Sequence, residues 1–282
     1  MKFIECPRDA MQGLQTFIPT EIKAAYMNQL LKVGFDTLDF GSFVSPKAIP
    51  QMRDTAEVFS HLSLEDTATK LLAIVANVRG ARQAIEFDEI SYLGFPFSIS
   101  ETFQIRNTNS TIENSLLRVA DIQSLCIKYN KELVIYISMG FGNPYGDPWN
   151  VEIVEKWAKD LESMGIKILS LSDTVGVSTP ESISYLFSNL IPLLPEVEIG
   201  AHLHTTPNTW KEKVVAAYEN GCRRFDGAIK GYGGCPMAKD VLTGNMPTEN
   251  MLNYFKEIED LSQINFDEFE RSIQMTPEVF LI

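Results

Sequence analysis

Residues 199–229 read IGAHLHTTPNTWKEKVVAAYENGCRRFDGAI. A β-branched run, Ile199–Leu203, is followed by a polar stretch of helical spacing, Asn208–Asn220, then by Gly221 and a second apolar run, Phe225–Ile229. A glycine one position beyond a helical stretch ends it, because the left-handed conformation needed there costs glycine little. Strand, helix and strand in about thirty residues make one βαβ unit, which pairs its strands in parallel.

The same alternation runs through the chain. Strand-like runs recur at Phe3–Glu5, Thr37–Phe40, Leu71–Val75, Ile90–Leu93, Leu133–Ser138 and Ile168–Ser172, bringing the total to eight. Helical stretches include Thr20–Val33 and Asn150–Met164, and Gly34 and Gly165 each stand just past one. Eight βα units in 282 residues point to a closed (β/α)8 TIM barrel with extra C-terminal helices. An open doubly wound sheet would carry a GxGxxG turn after its first strand, but Cys6-Pro7-Arg8-Asp9 stands there. Gly140, Gly142 and Gly146 do not keep that spacing. The expected organisation is one domain over 1–282, with the barrel to about 245 and a helical segment over about 249–282.

Composition narrows the function classes. The chain is 45% hydrophobic and 22% charged, ordinary for a globular protein with one large core. A net charge of −13 and no basic block argue against a nucleic-acid partner, whose phosphates need a positive footprint. No apolar run approaches bilayer-spanning length, and the opening MKFIECPRDA has no apolar signal core, which reads as no membrane association and a cytoplasmic location. Cys6, Cys126, Cys222 and Cys235 form no CxxC pair and read as free thiols in a reducing compartment.

In such a barrel the site lies at the carboxyl ends of the strands. Polar residues gather there: Arg8, Asp9 and Gln12 after the first strand, Asp39 and Ser42 at the second, Ser98 and Ser100 at the fourth, Ser138 at the fifth. Asp173 and Thr174 follow the sixth, His202 and His204 the seventh, and Lys230 through Cys235, then Gly244 and Asn245, the eighth. Two of the three histidines form an HxH pair whose side chains share one face of a strand. They are either a chelating pair or one hydrogen-bonded core imidazole and one surface imidazole. Asp9 is either an oxygen ligand or a helix-capping carboxylate. With Asn245 it would complete an oxygen-rich set suited to Mg²⁺ or Mn²⁺ more than to closed four-coordinate zinc. Cys235, in KGYGGCPMA, is placed on a glycine-rich loop where a thiol can act as nucleophile or proton carrier, whereas Cys126 and Cys222 read as buried small hydrophobes. His61 reads as a surface residue.

ECPRDAMQG (5–13), FGSFVSPKAIPQM (40–52), SLSDTVGVSTP (170–180), GAHLH (200–204) and GAIKGYGGCPMA with TGN (227–245) resemble, in order, the motifs of the 3-hydroxy-3-methylglutaryl-CoA lyase family. The resemblance covers Glu5 to about Glu249. It implies a divalent Mg²⁺ or Mn²⁺ held by Asp9, His202, His204 and Asn245, and a catalytic set of Arg8, Asp9, His202, Asp173 and Cys235. Gln12, Asp39, Ser42, Ser100, Ser170 and Thr174 join Arg8 in binding substrate. It also implies an acyl-CoA substrate, with Lys47 and Arg53 as candidates for the phosphates, and a tendency toward homodimers. The reaction implied is a retro-Claisen cleavage to acetyl-CoA and acetoacetate. Asp9 or His202 takes the hydroxyl proton, Arg8 stabilises the enolate, and Cys235 protonates its carbon.

Three departures from the family pattern bear on the fit of the acyl group. Asp39 replaces a glutamate, Thr205 replaces the aspartate of HxHDT, and Ala10-Met11 replace the Gly-Leu of PRDGLQ. A related aldol or Claisen-type lyase is the second reading. A condensing synthase stands behind it, since such enzymes carry a further C-terminal region. A catalytically silent acyl-CoA-binding barrel stands further back, since neither the metal ligands nor Cys235 is lost.

Overall fold

The computed structural model describes residues 1–234, 243–261 and 263–280. Its parallel strands are β1 (Lys2–Glu5), β2 (Thr37–Ser42), β3 (Lys70–Ile74), β4 (Ile90–Ser98), β5 (Glu132–Ser138), β6 (Ile168–Asp173), β7 (Glu198–Thr205) and β8 (Arg224–Gly227). They pair in chain order, and β1 pairs β8, so the sheet closes on itself. This is the expected (β/α)8 barrel.

Every strand is buried on both faces, which is why the runs read as almost continuously apolar. One face fills the lumen, where Leu72, Ile74, Tyr92, Val134, Tyr136 and Ile168 form their own cluster. The other packs outward against the helices through residues such as Phe3, Phe40, Phe95, Ile137, Leu171 and Phe225. The sequence reading stopped β4 at Leu93 because Gly94 and Pro96 are poor strand formers. The strand continues to Ser98, and Gly94 leaves room: a Cβ there would lie 2.5 Å from Ile74 Cδ1 and 3.0 Å from Tyr136 Cε2.

The crossover helices are α1 (Pro7–Gln12), α2 (Thr20–Leu30), α3 (Thr55–Ser60), α4 (Val78–Ala84), α5 (Glu101–Thr108), α6 (Ile112–Lys128), α7 (Val151–Ser163), α8 (Pro180–Leu193) and α9 (Trp210–Glu219). Asn150 caps α7 by accepting from the Ile153 amide, and Thr179 with Ser182 forms a reciprocal capping box on α8. Gly34, Gly165 and Gly221 all take positive φ, as helix-ending glycines do.

Two further helices, α10 (Thr248–Glu257) and α11 (Phe266–Phe280), complete the described chain. Phe255 of α10 packs its ring on Phe3, Tyr218 and Phe225, covering the β1–β8 seam. α11 lies on α2, with Phe280 against Tyr26 and Gln29 donating to Glu268. One element had no counterpart in the sequence reading. The two-residue strand β9 (Gly244–Asn245) runs antiparallel to the end of β7, setting Asn245 opposite His204 and Gly244 opposite Thr205. Among the described residues no helix is long and apolar enough to cross a membrane.

Candidate active site

The carboxyl ends of the strands surround a cavity of about 620 Å³. Arg8, Asp9 and Gln12 from α1, Ser138 at the end of β5, Thr174 after β6, and His202 and His204 of β7 all line it. The turn from β1 into α1 is tight because Pro7 sits at the first helical position, where its missing N–H has no partner to lose. It turns Arg8 and Asp9 over the barrel mouth.

Ligand atoms of Asp9, His202 and His204 lie within 4.8 Å of one another. His204 Nδ1 contacts the Thr174 carbonyl at 3.0 Å, and since a carbonyl only accepts, Nδ1 carries the proton. That leaves Nε2 as a bare lone pair, buried and without a hydrogen-bond partner among the described residues. Burial, reinforced by the neighbouring His202, pushes the His204 pKa down to about 4, so the ring is neutral at physiological pH. His202 Nδ1 donates to Asp226 Oδ2 at 3.0 Å, which fixes the same tautomer by a different partner. Burial pulls the His202 pKa down, but Asp226 and Asp9 together raise it on balance. Asn245 donates its amide hydrogens to Asp9 Oδ2 (2.7 Å) and the Tyr232 carbonyl (2.8 Å), leaving Oδ1 as its available acceptor.

The donor set therefore fits a divalent cation: two imidazoles whose Nδ1 partners leave Nε2 for a metal, one carboxylate and one amide oxygen. Asp9 is buried, which opposes ionisation. Arg8, the two imidazoles and Asn245 outweigh that burial and hold its pKa below the usual value. A second trio, Cys6, His202 and Asp226, also approaches within 4.8 Å. It is a poorer cage, because burial beside three carboxylates keeps the Cys6 thiol protonated and Asp226 already occupies His202 Nδ1.

Arg8 is held on three sides. Its Nε and Nη2 grip Asp39 at 2.5–3.1 Å, and Nη1 donates to Asp9 Oδ1 at 3.0 Å and Gln12 Oε1 at 2.9 Å. Burial disfavours its charge, but Asp39 and Asp9 overcome it and drive the pKa upward, so Arg8 is a permanent cation. Burial raises the Asp39 carboxyl to about 6 against the pull of Arg8, leaving it ionised at neutral pH. Asp39 thus serves the cavity through the guanidinium it holds.

Several expected site residues stand elsewhere. Asp173 turns away from the cavity, accepting from Val177 N, Ser178 N, Ser178 Oγ and Lys213 Nζ. Lys213 also donates to the His204 carbonyl, so the cluster braces the β6 loop against β7. Ser100 caps α5 and bonds Asp147. Ser42 donates to the Ile74 carbonyl, and Ser170 is buried in the lumen. Arg53 stacks on the Phe17 ring at 3.6 Å and Lys47 is exposed; neither lines the cavity. The outer wall is instead formed by Phe103, Arg106 and Asn107 of α5. Cys235 lies outside the described residues. Thr205 donates to the Asn245 carbonyl at 3.4 Å, a role in holding β9. The reading also missed Asp226, although its inward parity on β8 matches that of His202 on β7.

A closed barrel whose mouth gathers an Asp–His–His trio able to hold a cation, beside a fixed guanidinium, has the architecture of the metal-assisted barrel enzymes. A family model described as HMGL-like matches residues 3–275, and the chain belongs to the HMGL-like family, a divalent-metal-dependent group, as a carbon–carbon lyase. The hydroxymethylglutaryl-CoA lyase YngG of Bacillus subtilis is 32% identical over 261 residues, 93% of this chain and 86% of that one. A Pseudomonas aeruginosa protein named 3-hydroxy-3-isohexenylglutaryl-CoA/hydroxy-methylglutaryl-CoA lyase is 31% identical over 253 residues, covering 90% and 83%. An HMG-CoA lyase structure from Acinetobacter baumannii, in complex with coenzyme A and 3-methylmalate, superposes with a TM-score of 0.90 at 30% identity, covering 99% of this chain and 90% of that one.

Proposed function

We propose that this chain cleaves 3-hydroxy-3-methylglutaryl-CoA to acetyl-CoA and acetoacetate. The observation that carries the reading is the convergence of Asp9, His202 and His204 beside a guanidinium fixed by Asp39. A Mg²⁺ or Mn²⁺ ion held by Asp9, His202, His204 and Asn245 Oδ1 would act as Lewis acid toward the substrate's oxygens. Asp9, kept ionised by its neighbours, is the group placed to accept the proton of the tertiary hydroxyl, while His202, oriented by Asp226, would be given to the ion. As the C2–C3 bond breaks, its electron pair passes into the thioester to give an enolate. Four of the five N–H groups of Arg8 are engaged with Asp39, Asp9 and Gln12, and the one left is the proposed donor to the developing oxyanion. Cys235 is the proposed proton donor to the enolate carbon. Arg106 and Asn107 are the proposed contacts for the coenzyme A portion. We infer that residues 1–282 work as one catalytic unit in the cytoplasm.

The test is acetoacetate release from 3-hydroxy-3-methylglutaryl-CoA with Mg²⁺ or Mn²⁺ added and then chelated. Cleavage that appears with the metal and stops with the chelator supports the reading; metal binding without cleavage sinks it. The cavity wall formed by Val44, Ile49 and Ile74 favours one second reading, a larger 3-substituent on the same glutaryl-CoA skeleton. The isohexenyl analogue in competition distinguishes the two.

A further inference from the structure

Beneath the cavity floor lies a second group of polar atoms that the proposed reaction does not use. Tyr136 Oη, Ser170 Oγ, Arg224 Nε and Nη2, and Asp226 Oδ1 are all buried, and none has a hydrogen-bond partner among the described residues. The sheet register brings them together. Tyr136 pairs with Ser170, Ser170 with Gly200, and Ala201 with Phe225, which sets Gly200 beside Arg224. With period-two alternation these positions share one lumen level, and Asp226 stands one level higher, bonded to His202.

Gly200 makes the arrangement possible. A Cβ at that position would lie 2.9 Å from Arg224 Cδ and 3.1 Å from Cγ, so the side chain that β7 lacks is replaced by the arginine stem. The Tyr136 ring roofs the space, its edge meeting the His202 ring with centroids 5.5 Å apart.

Left without partners, such atoms cost about 1–3 kcal/mol each, and several together would rival the whole stability of a domain. Their chemistry specifies what answers them. Burial pushes the Tyr136 phenol well above its usual pKa, so it is a neutral O–H. Burial opposes the Arg224 charge, but Asp226, Tyr136 and Glu198 outweigh it and raise its pKa. Arg224 and Tyr136 offer donors, Ser170 offers both roles, and Asp226 Oδ1 only accepts. A ligand must accept at one end and donate at the other. An anion would satisfy the donors and confront the Asp226 carboxylate.

We propose that this space binds buried water that bridges Arg224, Tyr136 and Ser170 to Asp226 Oδ1 and so positions His202 for its metal. With Oδ2 taken by His202, water on Oδ1 fixes the plane of the Asp226 carboxylate and hence the imidazole. The positioning part rests on the reading of His202 as a ligand; the water site itself does not.

A high-resolution crystal structure of the intact protein, native and bromide-soaked, tests the site. Solvent density within hydrogen-bond reach of Tyr136 Oη, Ser170 Oγ and Asp226 Oδ1 is expected. A bromide anomalous peak at that point overturns the proposal, as does a direct Arg224–Asp226 ion pair with no solvent between. For positioning, Tyr136→Phe and Ser170→Val are titrated with Mn²⁺ by calorimetry, their folding checked by circular dichroism. Each is expected to weaken Mn²⁺ binding by up to about tenfold, the lower end for a group behind a metal-ligating histidine. Unchanged affinity in both overturns the positioning role. If the lyase reading alone failed, turnover would be missing while the solvent density and Mn²⁺ affinities stood as expected.

Discussion

The two ends of the barrel lumen both hold charge, and they complete it in opposite ways. At the amino end of the strands, Lys2 and Arg224 both pair with Glu198, and Lys70 reaches the Tyr92 hydroxyl at 3.2 Å. Each of these cations has a partner in the protein, and Arg224 keeps only Nε and Nη2 for the buried level above. At the carboxyl end, Arg8, Asp39, Asp9 and Asn245 are as tightly bonded, yet His204 Nε2 is left bare beside them. A closed set of partners stabilises; a set short of one partner binds. The same kinds of residue thus serve the fold at one end and chemistry at the other.

The largest effect should come from removing an incomplete partner. His204→Ala is expected to abolish measurable Mn²⁺ binding by calorimetry. Turnover should fall by more than the about 10- to 100-fold that loss of an outer partner costs, with the circular dichroism spectrum unchanged. Retained Mn²⁺ affinity would remove His204 from the site.

Glu5 gives an intermediate effect, because it is neither closed by a cation nor open to the cavity. It faces outward from β1, accepts from Ile229 N and Thr248 Oγ1, and has no cation partner among the described residues. Burial outweighs both hydrogen bonds and pushes its pKa up to about 8 from 4.5. The folded state therefore holds a proton that the unfolded chain releases, and this contribution to stability is full below pH 4.5 and lost as pH rises through about 8. The loss should be on the order of 5 kcal/mol. Denaturant midpoints measured across that range should fall in the wild type and stay nearly level in Glu5→Gln. Equal slopes would show that the carboxyl is ionised throughout.

The smallest effect belongs to the closed end. Glu198→Gln removes the charge paired with Arg224 Nη1, but Asp226 remains nearby and the Glu198 side chain is 29% exposed, so water screens part of the loss. A cost of about 1–3 kcal/mol in the urea midpoint is expected, with Mn²⁺ affinity unchanged. A large fall in Mn²⁺ affinity would mean the two ends are coupled more strongly than the closed pairing implies.

The barrel was legible because each parallel strand is buried on both sides and each helix ends on a turn signal, as Phe225–Gly227 and Gly221 show. The shared face of His202 and His204 was legible for a related reason: HxH on a strand fixes two side chains to one face by parity alone. Three features depended on tertiary context. Asp226 is a single carboxylate in an apolar run, and only the β7–β8 pairing shows that it meets His202. Asp173 carries no sequence mark separating a residue that faces the cavity from one that braces Lys213. The pairing of β9 follows from where the chain returns, and two residues give no period to read.

The two imidazoles differ in what secures their tautomers. His202 is held by the side chain of Asp226, so one substitution on β8 can erase its orientation. His204 is held by the main-chain carbonyl of Thr174, an atom that every residue type at position 174 would supply. One imidazole is therefore exposed to mutational drift in its support and the other is largely insulated from it. Sequences wandering from this one could alter the chemistry of His202 gradually while keeping His204 fixed, which makes Asp226 the natural first step toward a different reaction on the same barrel.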